Sequence, residues 1–302
     1  MPAVTAPTRI KLQNILFATD FSSSARTALF YTLNLAQRYG AEVYSVHVLP
    51  HVPFVEAVQP DPEQIKLSAK QRMTELTDSE SFRDIRHKEL IEEGEVPEAL
   101  SKLVRKYNID LIVMSTGGRK GLGKLLLGSV AEEVFRNAEC PVLTIGPHAT
   151  RWEIDGKLLH VLYATDFGPE SLHGLPYAIS LAEENGARLT LLHVAPEPGV
   201  SLPEPEVGTL PNFDPEAVRA SKLEQLRALM PKATHLEHEP EYRVEFGPPA
   251  EIIVKAAQEA DLLVIGVKRP TAFTKHFGAG VAYKVACDAP CAVLSLGARY
   301  HA

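Results

Sequence analysis

Asn14-Ile-Leu-Phe-Ala-Thr-Asp-Phe21 and His160-Val-Leu-Tyr-Ala-Thr-Asp-Phe167 end on the same tetrapeptide, each time after an apolar run of strand length. Each is followed by a stretch with helical spacing. An offset of 146 that relates Asp20 to Asp166 also relates Gly40 to Gly186 and His47 to His193. Further on, an offset of 151 relates Asp110 to Asp261, Val134 to Val285 and Cys140 to Cys291. The chain is therefore a tandem repeat, and internal repetition decides the architecture before any other signal. The extra residues enter within Pro196–Pro215, which holds six prolines and reads as a stiffened loop or lid. The expected domains are 1–149 and 150–302, with the junction near Pro147–Gly156 around the single tryptophan, Trp152.

Strand and helix signals alternate through each half. In the first, strands are expected at Asn14–Ala18, Glu42–Leu49, Arg86–Glu92, Asp110–Met114 and Pro141–Ile145. Helices are expected at Ser22–Tyr39, opened by Ser22 and closed by Gly40, and at Asp61–Thr77, Val96–Tyr107 and Ser129–Arg136. The second half repeats the order: Leu158–Tyr163, Ala187–Val194, His235–Phe246, Asp261–Gly266 and Cys291–Leu296 as strands, Pro215–Met230 and Ala250–Glu259 as helices. Such alternation implies parallel pairing, right-handed crossovers and helices on both faces. The fold class is α/β, two tandem doubly wound domains.

With 302 residues, 45% hydrophobic and 23% charged, each half can bury a core. A net charge of −7 argues against nucleic acid as a partner, because neutralising phosphates needs a basic surface. No apolar run approaches membrane-spanning length, and Met1–Arg9 lacks the blocks of a secretory signal, so a cytoplasmic location is expected. Cys140 and Cys291 each open an apolar run beside a proline and read as small buried residues; Cys287 and Cys291 straddle an expected helix end, a poor redox or metal pair. His47 and His193, late in equivalent strands, read as structural. His235 and His238, on an expected strand, would point to opposite faces and make a poor metal pair.

In an open parallel sheet, ligands sit beyond the carboxyl ends of strands where strand order reverses. Ala18-Thr19-Asp20 follows the first strand, and Met114-Ser115-Thr116-Gly117-Gly118-Arg119 follows the fourth. If these strands are neighbours, Asp20 faces a glycine loop, and Gly128-Ser129 opens the next helix. Backbone N–H groups at a helix start, with glycines that permit close approach, make an anion site. On spacing alone, the same residues also fit a flexible connection with Ser129 as a plain helix cap. A P-loop is a poor fit: Gly118-Arg-Lys-Gly-Leu-Gly123-Lys124 is followed by Leu125, where a magnesium-holding Ser or Thr is needed.

Asn14–Ser22, Val43-Tyr-Ser-Val-His-Val48 and Met114–Val130, followed by Cys140-Pro-Val-Leu143, together resemble the universal stress protein family. The resemblance extends over both halves. It implies a five-stranded parallel sheet between helices in each half, the adenine nucleotide alpha hydrolase-like arrangement. It implies ATP, with or without magnesium, on a Gly-x2-Gly-x9-Gly-(Ser/Thr) loop. Carried over, Ala18, Thr19 and Asp20 would lie along the adenosine and Val48 would offer backbone to the adenine edge. Gly118, Gly128 and Ser129 would cradle phosphates at the end of the strand holding Met114, with Arg119 nearby and Val130 at the helix start. Ser115 stands where the family has its first glycine, and Gly117 where many members have histidine. The two halves would pair within the chain, and two chains can pair again as a homodimer.

In the second half Gly266 is kept, but Arg269, beside Pro270, replaces the second glycine and Ala279-Gly280 replaces Gly-Ser. Its phosphate cradle is expected to be broken, leaving a degenerate domain kept as a pairing partner. The favoured function is a regulatory, ATP-binding stress-response protein with the nucleotide in the first half, because no general base and no carboxylate pair stands near the loop. The alternatives are a slow ATP hydrolase, in which Asp20 helps hold a metal, and a partner-binding scaffold without nucleotide.

Overall fold

The structure, a computed structural model, describes residues 10–49, 61–117, 129–149, 157–197, 214–268 and 280–297. The proline-rich loop from 198 to 213 lies outside these residues, as does the domain junction from 150 to 156.

The first half runs β1 (Asn14–Ala18), α1 (Ser23–Tyr39), β2 (Glu42–Leu49), α2 (Pro62–Thr77), β3 (His87–Glu93), α3 (Val96–Tyr107), β4 (Leu111–Ser115), α4 (Ser129–Asn137) and β5 (Val142–Ile145). The second runs β6 (His160–Ala164), α5 (Pro169–Leu172), α6 (Leu175–Asn185), β7 (Arg188–Ala195), α7 (Pro215–Leu229), β8 (Glu241–Phe246), α8 (Pro249–Ala256), β9 (Leu262–Gly266), α9 (Val281–Asp288) and β10 (Ala292–Leu296). Capping explains several of these ends. Ser22 accepts from the Ala25 N–H to open α1, and Gly40, at φ 64°, closes it in the left-handed conformation. Asp61 and Asp214 cap α2 and α7 in front of prolines at the first helical position.

The ten strands of the described residues join one sheet in the order β3-β2-β1-β4-β5-β10-β9-β6-β7-β8. Within each half the neighbours are parallel. The halves meet at the centre, where β5 and β10 pair antiparallel with Leu143 opposite Leu294. A pseudo-twofold axis runs through this seam. Thr144 Oγ1 donates to the Val293 carbonyl and Ser295 Oγ donates to the Val142 carbonyl, the same bond made once from each side.

Buried parallel strands read as near-continuous apolar runs, as β4 (Leu-Ile-Val-Met) and β10 do. The outermost strands, β3 and β8, are half exposed and carry charge, which blunts the open edges. On one face a single core spans both halves, joining Ala28, Leu35 and Phe17 to Ile179, Leu181 and Tyr163. On the other, residues of α3 and α4 pack with Val267, Tyr283, Ala286 and Cys287 of the second half. Ile10 N–H to Ser180 Oγ (2.9 Å) and Arg38 to Asn185 Oδ1 (2.5 Å) tie the α1 and α6 side together.

Two expectations need correction. The strand expected from His235 begins only at Glu241; residues 235–240 are irregular, with a bend at Glu237-His238, and Pro240, which cannot donate to a ladder, stands at the boundary. His235 and His238 are therefore on no strand. The helix after the second Ala-Thr-Asp-Phe is split into α5 and α6 at His173-Gly174. Its first turn packs on β9: a Cβ at Gly266 would stand 2.4 Å from the Ser171 nitrogen. Gly266 is thus required by the close approach of a helix, whatever else it does.

Candidate functional site

Each Ala-Thr-Asp-Phe motif builds the same turn beyond the end of a strand. Thr19 N–H bonds back to the Val46 carbonyl, and its Oγ1 accepts from the Phe21 N–H at 2.9 Å. Asp20 Oδ1 accepts from the Ser22 N–H at 2.9 Å. Phe21 sits at φ 61°, an uncommon place for a bulky residue, and its ring stacks on His47 at 4.5 Å. His47 Nδ1 in turn donates to the Thr19 carbonyl at 2.7 Å, and the Arg72 guanidinium lies 4.4 Å above the Phe21 ring. In the second half Thr165, Phe167 (φ 62°), His193 and Lys222 repeat every one of these contacts. The two histidines hold the turn in place, the structural role the sequence assigns them.

The strand order reverses between β1 and β4, and again between β6 and β9. Ala18 stands opposite Met114 and Ala164 opposite Ile265, so each aspartate overhangs a crevice at its switch point. Ala18 packs against the core at the floor. Thr19, Val48 and Met114 are buried, so Val48 and Met114 commit their side chains to the core. Ser115 is half-buried at the end of β4, and Gly117 follows it with nothing within 4 Å of where a Cβ would be. Asp20 is exposed. Gly118, Arg119 and Gly128 lie outside the described residues; Ser129 and Val130 form the first turn of α4.

The second half presents a cleft of about 360 Å³ at the matching place. Ala164, Leu192, Val194, Ile253 and Ile265 line it, α9 enters through Gly280 and Val281, and Phe135 reaches in from α4 of the first half. Here the aspartate is fully engaged. Asp166 Oδ1 accepts from the Gly168 N–H and the Ser171 hydroxyl, both at 2.9 Å, and Oδ2 takes the Lys268 ammonium at 2.6 Å. Partial burial works against its ionisation, but Lys268 and these donors outweigh that and hold the carboxyl below its usual range. The sequence reading missed Lys268, which stands 151 after Gly117. The signal for it in the sequence is a lysine gained where the first half has a glycine.

The universal stress protein family profile matches residues 11–146 and again 158–296. The chain belongs to the universal stress protein family. Universal stress protein MJ0531 of Methanocaldococcus jannaschii is 32% identical over 142 residues, 44% of this chain and 81% of that protein. Universal stress protein A homolog 1 of Coxiella burnetii is 33% identical over 140 residues, again 44% of this chain but 95% of its own length. These relatives each match less than half of the chain, as expected for one unit of a tandem pair. The crystal structure of a universal stress protein from Archaeoglobus fulgidus covers 95% of this chain and 97% of its own, with TM-score 0.71 at 19% identity, and so shares the two-unit fold. No helix among the described residues is long and apolar enough to cross a membrane. No group of three or more potential metal ligands occurs among them either.

Proposed function

We propose that this stress-response family protein binds ATP in its first half and acts through the bound state. The observation that carries the reading is the open carboxylate of Asp20. It overhangs the β1–β4 crevice, and among the described residues no side chain bonds to it. A nucleoside brings hydroxyl donors that suit an ionised carboxylate. Ala18 and the core side of Val48 and Met114 give an apolar floor for a ring. The start of α4 at Ser129, after the glycines of the loop, suits phosphates through the N–H groups of its first turn. Location in the cytoplasm is part of the same proposal.

Mass spectrometry of small molecules released from freshly purified, denatured protein should find ATP. Gly128→Val should abolish its binding, because a β-branched side chain would occupy the phosphate approach. Unchanged affinity in that variant sinks the site assignment, and an empty protein that shows no thermal shift with ATP sinks the reading itself.

A further inference from the structure

The described residues of the second half enclose an apolar cleft of about 360 Å³. What differs is who holds the aspartate. Both oxygens of Asp166 are bonded within the chain, one of them by Lys268 at 2.6 Å. At the position equivalent to Lys268 the first half has Gly117, with no atom of the described residues within 4 Å of where a Cβ would stand. The turn carrying Asp166 is fixed, because the backbone of α5 lies against Gly266 with no room even for a Cβ. The carboxylate is held there by Ser171 on one oxygen and Lys268 on the other. Glu170, on α5, lines the same cleft, so the ammonium is faced by two carboxylates and offers no surplus positive charge to a phosphate.

We infer that Lys268 is the specificity-determining residue of the second half: its ammonium takes the place, on Asp166, of the hydroxyl donors a nucleoside would bring, and so keeps nucleotide out. At its aspartate the second cleft is internally liganded; the replaced glycines at Arg269 and Ala279 lie outside the described residues. This inference rests on the proposed nucleotide site at Asp20, its unblocked counterpart. The pair is substantially exposed, with side-chain accessibilities of 68% for Lys268 and 50% for Asp166, so its removal leaves the fold intact. Its effect is on competition for one carboxylate, where a ligand must first displace a charge-assisted bond.

Equilibrium dialysis of the full-length protein, with ATP and separately with adenosine as probes, tests this. The wild type should take one ATP per chain. Lys268→Ala should take two, and Lys268→Arg should stay at one. The reciprocal graft, Gly117→Lys, should weaken the first site by about tenfold or more. One ATP in both the wild type and Lys268→Ala overturns the inference while leaving the function of the first half standing. None in the wild type and one in Lys268→Ala upholds the role of Lys268 and removes the proposed function. Two in the wild type, or none in either protein, overturns the inference.

Discussion

Phe21 and Phe167 are the residues through which the repeated tetrapeptide acts on the backbone. A left-handed phenylalanine is strained by about 1–3 kcal/mol, and the strain persists because a histidine and a cation clamp the ring from two sides. Phe21→Ala would keep the strain and lose the ring contacts, whereas Phe21→Gly loses the same contacts but relieves the strain. The glycine variant should therefore be the more stable of the two by about 1 kcal/mol in urea unfolding, and the reverse order would show that the positive φ is not what costs. Ser45 makes the opposite point. Its hydroxyl is fully buried and without a hydrogen-bond partner, so Ser45→Ala should be neutral or raise stability by about 1 kcal/mol. His193 carries a pH signature. Burial lowers its pKa, opposed by the bond to Thr165, while Lys222 lowers it and Asp166 raises it. The unfolded chain thus binds a proton that the folded chain resists. Stability should be full above the ordinary histidine pKa and fall as the pH drops through it. His193→Asn, which keeps an N–H donor near the Thr165 carbonyl, should flatten that acid limb in thermal melts. An unchanged limb would assign it to other groups.

At the scale of elements, most boundaries were legible because caps and periodicity are local. β2 and α3 fall where the pattern places them, and Ser22 and Gly40 cap as expected. The strand at β8 was overread because an alternating pattern from His235 continues through Pro240, and only the missing ladder donor says where pairing starts. Asp110 and Asp261, noted as a repeat pair, prove to be clamps. Asp110 accepts from the N–H groups of Gln13 and Asn14, and Asp261 from those of Leu159 and His160, fastening the start of the fourth strand of each half to the start of the first. Cys140 and Cys291 precede the last strands as buried thiols, and Cys287 is buried on α9. Burial drives the Cys140 thiol strongly up and the Cys291 thiol up to about 12. None of the three should react with a thiol reagent near about pH 8 until the protein is unfolded, and rapid labelling of the native protein would contradict this packing.

The whole molecule is one sheet, not two tethered units. The β5–β10 seam sits at its centre, and cores on both faces run across it. Phe135 shows the consequence, a first-half side chain that completes the second-half cleft. A fragment of residues 1–149 would expose the β5 edge and the apolar surfaces beside it. It should associate as a dimer in which β5 pairs with its own copy, because the native seam is already quasi-symmetric. Light scattering on the isolated fragment checks this, and a stable monomer would mean that the seam contributes little.

The sequence by itself determined the repeat and the α/β alternation, and its motifs carried the resemblance to the family. All of these follow from periodicity, capping and motif spacing, which act over a few residues. The tertiary structure alone decided how the halves join, which helix lies on Gly266 and who holds each aspartate. Asp20 and Asp166 sit in identical tetrapeptides. What distinguishes them is a partner 102 residues further along the chain, Lys268 on Asp166, brought within 2.6 Å by parallel strands whose pairing no local pattern encodes.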